Sequence, residues 1–163
     1  SRRQRQMCIR DRVTAHPQVV GVHDLVVHDY GPGRRIISLH AEVPADGELL
    51  EMHDAIDNIE MELARKLRCE AVIHMDPVVV GDPVVTALRE QVTALVKTID
   101  PRITIHDFRM VPGATHTNLI FDAVIPFDEQ LTRPQVDQQV CRLVEGMEGR
   151  YRAIIKVENS YVE

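Results

Sequence analysis

The second half of this chain repeats the first. His23-Asp24-Leu25 returns as His106-Asp107-Phe108, and the stretch from His40 to Pro44 returns from Asp122 to Pro126, with a one-residue change of spacing that falls in a hairpin loop. A repeat of this kind constrains the fold more than any single motif, because the structure must be one that a chain can form twice in succession.

Each half spells the same elements. From Val19, alternating apolar residues, a Gly31-Pro32-Gly33 turn and the run Ile36 to Val43 predict a β-hairpin. Leu49, Met52, Ile56, Ile59, Leu63 and Leu67 then form one helical stripe, and Ala71 to Met75 closes the unit as a strand. In the second half Asp82-Pro83 opens a helix with Leu88, Val92, Leu95 and Ile99 on its apolar face. A second hairpin turns at Pro112-Gly113. Thr132-Arg133-Pro134-Gln135 reads as a capping box before Val136, Val140, Leu143 and Met147, and Tyr151 to Asn159 is the last strand. The expected class is α+β: two tandem ferredoxin-like units of order α-β-β-α-β, residues 13–78 and 82–163, with helices packed on one face of a small mixed sheet.

Residues 1–12 stand apart. They hold five arginines and one aspartate in a chain whose net charge is -6. They read either as a basic arm or as non-native sequence ahead of a domain whose first helix is clipped. The acidic balance of the whole lacks the basic footprint of a nucleic-acid partner, so none is expected. Three widely spaced cysteines with no CxxC pair signal neither a disulfide framework nor a zinc knuckle. No apolar run is long enough to span a bilayer, and this piece is expected to be soluble.

Strand alternation separates two faces. Ile37, Leu39, Ala41 and Val43 take the core side and leave Ser38, His40 and Glu42 on the other; Ala71, Ile73 and Met75 go inward and leave Val72, His74 and Asp76 outward. A single histidine on an open sheet face is ordinarily just solvated. His40, His74 and Asp76 together offer the nitrogen and oxygen donors of a Zn²⁺-like site, and His23 in the first strand adds a fourth. His53, at the edge of the helical stripe, reads alone as a half-buried packing residue. His16, His28 and His116 read as solvated, and Asp24 and Asp107 either orient an imidazole or are edge-strand charges.

Gly21-Val22-His23-Asp24-Leu25, the turn, Ser38 to Pro44, Met52 to Asp57 and Val72 to Pro77 together resemble the cytoplasmic C-terminal domain of cation diffusion facilitator transporters, which exchange divalent metal for protons. The resemblance covers residues 13–77. It implies a ferredoxin-like, metallochaperone-like unit that dimerises and binds regulatory metal at the dimer contact, on the cytoplasmic side of the cell membrane. The family's ligand positions fall on His23, His40, His53, His74 and Asp76. The implied cofactor is a divalent metal ion, Zn²⁺ by ligand type, with Fe²⁺, Co²⁺ or Mn²⁺ using similar groups. The implied partners are a second copy of the chain and the transporter's own transmembrane part.

The second half departs from that pattern. His106 stands for His23, Asp122 for His40, Lys156 for His74 and Glu158 for Asp76, with no histidine for His53. An ammonium cannot ligate a cation while charged, and Lys156 is expected to pair with Asp122 or Glu158. The first functional expectation is a metal-sensing, dimerising module of a divalent-cation exporter, with a free-standing metal-binding protein or metallochaperone as the alternative. A hydrolase would need an open coordination position and a separate base, and no nucleophile or oxyanion loop is recognisable. An enzyme is not expected.

Overall fold

The computed structural model describes residues 1–160; the last three residues of the expected second unit lie outside them. The chain divides into two compact units, Ser1–Val78 and the part from Val79 onward. The first contains α1 (Arg2–Thr14), β1 (Gly21–Asp29), β2 (Arg35–Pro44), α2 (Leu49–Leu67) and β3 (Glu70–Val78). The second contains α3 (Pro83–Lys97), β4 (Thr104–Val111), β5 (Thr117–Ile125), α4 (Arg133–Glu145) and β6 (Tyr151–Asn159). Each has one mixed three-stranded sheet whose middle strand runs antiparallel to the strand before it and parallel to the one that follows the helix.

The basic opening segment is helical. Ser1 and Gln4 cap α1 reciprocally, and Ile9 and Val13 enter the core of the first unit. Apolar residues one turn apart explain that burial, although the arginines around them hide the stripe from a composition-based reading. In β2, Ile37, Leu39, Ala41 and Val43 are all buried against Ile56, Ile59 and Leu63 of α2. Met52 and Leu67 are partly buried, but Leu49, the first residue of α2, is exposed. The second core follows the same plan around Phe121. There Val85, Val96 and Val144 join the expected helical stripes as buried residues, while Leu95, Ile99 and Leu143 are only partly buried.

The helix ends form as their residues demand. Asp82 accepts from Val84 N at 2.7 Å with Pro83 at the first helical position. Thr132 and Gln135 form the reciprocal capping box.

Both hairpins carry a bulge at the same place. His23 pairs with His40 and Val26 with Ser38, so Asp24 and Leu25 together face Leu39. His106 pairs with Asp122 and Arg109 with Ile120, so Asp107 and Phe108 together face Phe121. The extra residue is Asp24 in one case and Asp107 in the other, at φ 51° and 55°. These aspartates therefore supply the left-handed residue of a bulge, a conformation their short polar side chains tolerate better than most. The bulge keeps Val22, Leu25 and Val27 on the core side while His23 points to the opposite face.

Candidate metal centre

The register of the first sheet places the site. His23, His40 and His74 occupy one row across β1, β2 and β3, with successive ring centroids 4.7 Å apart. The next row on the same face is Gly21, Glu42 and Asp76. Alternation keeps all of these side chains on the face away from α2.

Asp76 gathers the imidazoles. Its Oδ2 lies 2.9 Å from His40 Nδ1 and 3.2 Å from His23 Nε2, and its Oδ1 lies 3.1 Å from His74 Nε2. His23 Nδ1 meets Glu42 Oε2 at 3.1 Å. The site is graded in depth: the Glu42 side chain is 1 % exposed, Asp76 9 %, His23 10 %, His40 33 % and His74 66 %.

One donor and acceptor atom in the cluster stands out. His23 Nε2 is buried and 3.2 Å from Asp76 Oδ2, yet it makes no directed hydrogen bond. Buried polar atoms are rarely left this way without a reason. One ligand atom each from His23, His40 and Asp76 lie within 4.8 Å of one another, the only such set of three or more metal-type ligands among the described residues. Two imidazoles and a carboxylate are the donor types that Zn²⁺ and its first-row neighbours take. The donors and the undirected nitrogen both fit a divalent cation, with His74 at the rim as a further nitrogen.

Two groups of the cluster titrate away from their ordinary values. Burial by itself would lower the His23 pKa, but the close carboxylates of Asp76 and Glu42 outweigh it and raise the imidazole to about 9. Asp76 shows the converse. Its burial favours the neutral acid, yet contacts with His23 and His40 hold its pKa below the ordinary carboxylate value.

The expected residues do not all meet. His23, His40, His74 and Asp76 come together, whereas His53 is exposed on α2, a helix packed on the other side of the sheet. Glu42 was not among the expected ligands, though alternation put it on the right face; what the sequence conceals is its nearly complete burial. Asp24, at the bulge, does not orient an imidazole in any described hydrogen bond. His16 is bound rather than solvated, its Nε2 2.9 Å from Glu62 Oε2. His28 stacks on Tyr30 and His116 lies 3.0 Å from Thr115 Oγ1.

The second sheet puts different chemistry at the same register. His106, Asp122 and Lys156 form one row, and Thr104, Val124 and Glu158 the next. Lys156 Nζ lies 2.8 Å from Glu158 Oε1, which settles its partner in favour of Glu158. The Asp122 pKa is raised by burial and by the carboxylates of Asp107 and Glu158, against the opposing charges of Lys156 and Arg109.

Residues 3–78 match the family model described as cation efflux protein, cytoplasmic domain. The first half is similar to that domain. The cation-efflux pump FieF of Salmonella typhi is 36% identical over 70 residues, which are 42% of this chain and 23% of the pump. This chain thus spans about a quarter of the length of the curated relatives it matches. Among solved structures, CzrB is 28% identical with a TM-score of 0.40, covering 46% of this chain and 89% of that one. The metal-bound C-terminal domain of the CzcD transporter from Thermotoga maritima is 20% identical with a TM-score of 0.38, covering 49% and 96%. No helix among the described residues is long and apolar enough to cross a membrane.

Proposed function

We propose that this chain is the cytoplasmic metal-sensing and dimerising part of a divalent-cation efflux transporter, a metal/proton antiporter, with Zn²⁺ as the preferred ion. The convergence of His23, His40 and Asp76 within 4.8 Å, inside the segment that matches a cation efflux cytoplasmic domain, carries this reading. His23, His40, His74 and Asp76 hold the ion. His53, across the sheet from them, contributes only where a second copy brings it near. A bound divalent ion supplies positive charge to a face rich in carboxylate, and so favours the state in which two such faces approach. The second unit, with Lys156 and Glu158 in place of His74 and Asp76, is a degenerate copy that binds no ion at the equivalent place.

Equilibrium dialysis against Zn²⁺ combined with sedimentation velocity tests the reading. Stoichiometric binding that strengthens self-association, and loss of both in His40→Ala, is the expected result. Binding with no change in association would make the site a store or a structural pin, and no binding at all would remove the metal reading.

A further inference from the structure

Glu42 is a carboxylate whose side chain is 1 % exposed, in the middle strand of the sheet, one row away from the imidazoles. Burying a charge this completely is costly unless it is matched by hydrogen bonds or opposite charge. What it faces is His23 Nδ1, at 3.1 Å. What makes room for it is Gly21, its register partner on β1: a Cβ at Gly21 would lie 2.9 Å from Glu42 Oε2 and 3.1 Å from its carboxyl carbon. The second unit fills the same two places with Thr104 and Val124, a side chain where the glycine was and no carboxylate opposite it. Both halves of the arrangement are missing together.

We propose that Glu42, seated over Gly21, is a positioning residue for the metal centre: by accepting a hydrogen bond from His23 Nδ1 it fixes the imidazole in the tautomer and orientation that present Nε2 to the cation. The inference rests on the metal-site reading above. An imidazole has two nitrogens, and the one that ligates is set by the hydrogen bond the other makes. His23 Nε2 is the buried nitrogen with no directed hydrogen bond, and it is turned towards Asp76. Glu42 holds the opposite edge of the ring. Without it the ring would be free to rotate, or to offer Nδ1 instead, and one donor of the set would be lost although no ligand had been changed.

The test measures Zn²⁺ affinity and the state of the His23 ring in the full chain. Glu42→Leu removes the acceptor, Glu42→Gln keeps an acceptor oxygen without the charge, and Gly21→Ala keeps Glu42 but crowds its carboxylate with a methyl carbon 2.9 Å from Oε2. Glu42→Leu and Gly21→Ala are expected to weaken Zn²⁺ binding about 10- to 100-fold, the usual scale for the hydrogen-bond partner of a ligating histidine, with Glu42→Gln recovering most of the loss. Long-range ¹H–¹⁵N spectra of the Zn²⁺- or ¹¹³Cd²⁺-loaded protein should show His23 protonated at Nδ1 and metal-bonded at Nε2 in the wild type and in Glu42→Gln. That pattern should be lost in Glu42→Leu and Gly21→Ala. Wild-type affinity and an unchanged His23 pattern in folded Gly21→Ala and Glu42→Leu would overturn the proposal while leaving the metal site standing. Glu42→Gln as damaging as Glu42→Leu, with Nδ1–H still in place, would also overturn it, since charge and not orientation would then be at work. Should Glu42→Leu fail to fold, Gly21→Ala and Glu42→Gln decide alone. Failure of the wild type to bind Zn²⁺ defeats the metal-site reading itself, and this inference with it.

Discussion

His23 Nε2 and Asp76 Oδ2 are 3.2 Å apart on neighbouring rows of the same sheet face, and this contact couples cation binding to pH. The His23 pKa is raised to about 9, so at neutral pH the ring carries a proton that a cation must displace, whereas the lowered pKa of Asp76 leaves no proton there to compete. Zn²⁺ affinity should therefore climb by about tenfold per pH unit between pH 7 and pH 9 from this group alone, rather than levelling off above the ordinary imidazole value near 6.5. Calorimetry in buffers of different ionisation enthalpy counts the protons released. A value near zero at pH 7 would contradict the coupling.

The metal-free protein should show the opposite trend. A pKa raised on folding means that the His23 contribution to stability is complete below about 6.5, its unfolded value, and is lost as pH rises through about 9. Asp76, with a lowered pKa, contributes above the unfolded carboxylate value and loses that contribution as pH falls through its lower folded one. Thermal melting of the metal-free chain should therefore weaken between pH 7 and pH 9.5, and His23→Gln should flatten that slope. An unchanged slope in the variant would assign it to other groups.

Substitution should separate the two units. His40→Ala or Asp76→Ala each removes a donor from the convergent set and should reduce Zn²⁺ affinity by about two orders of magnitude or more, beyond the effect of losing a supporting hydrogen bond. Asp122→Ala, at the register position of His40 in the second sheet, should leave affinity within about twofold. Equal losses from Asp122→Ala and His40→Ala, measured by equilibrium dialysis, would place a ligand in the wrong unit.

The bulge makes its own prediction. Asp24 stands at φ 51°, where a β-branched side chain is strained, so Asp24→Val should cost about 1–2 kcal/mol of stability. Asp24→Gly should be neutral within about 0.5 kcal/mol, because glycine gains in the left-handed region what it loses in unfolded-state entropy. Urea midpoints of the two variants give the comparison, and a Val variant as stable as the Gly variant would show that the bulge relaxes away.

Much of this arrangement can be read from the chain alone, and the misses have physical causes. Alternation in β2 and β3 puts His40, His74 and Asp76 on one face, because period-2 burial of Ile37, Leu39, Ala41 and Ile73 leaves no other choice. The depth of the site is not encoded locally. Glu42 and Ser38 alternate alike in sequence, and only the glycine opposite Glu42 in the folded register allows a carboxylate to sink out of water there. The role of Asp24 was hidden for a similar reason. A bulge is a property of pairing, seen when His23 and Val26 take partners only two residues apart on β2. For α1, five arginines among the first twelve residues mask the Ile9 and Val13 pair, whose spacing of one helical turn carries its packing.

The gradient of exposure across the cluster sets how long an ion would stay as well as how tightly it would be held. An ion arriving from water first meets the rings of His74 and His40, two-thirds and one-third exposed, and only then the buried carboxylate of Asp76. Departure runs the other way, and its slow event is separation from charge in a place where water cannot quickly replace the lost oxygen. Entry is therefore governed by the rim and residence by the floor. Changes at His74 should alter how fast the site follows a rise in concentration, while changes at Asp76 alter how long it persists after a fall. A site built this way would have a response time and a memory that can be adjusted separately.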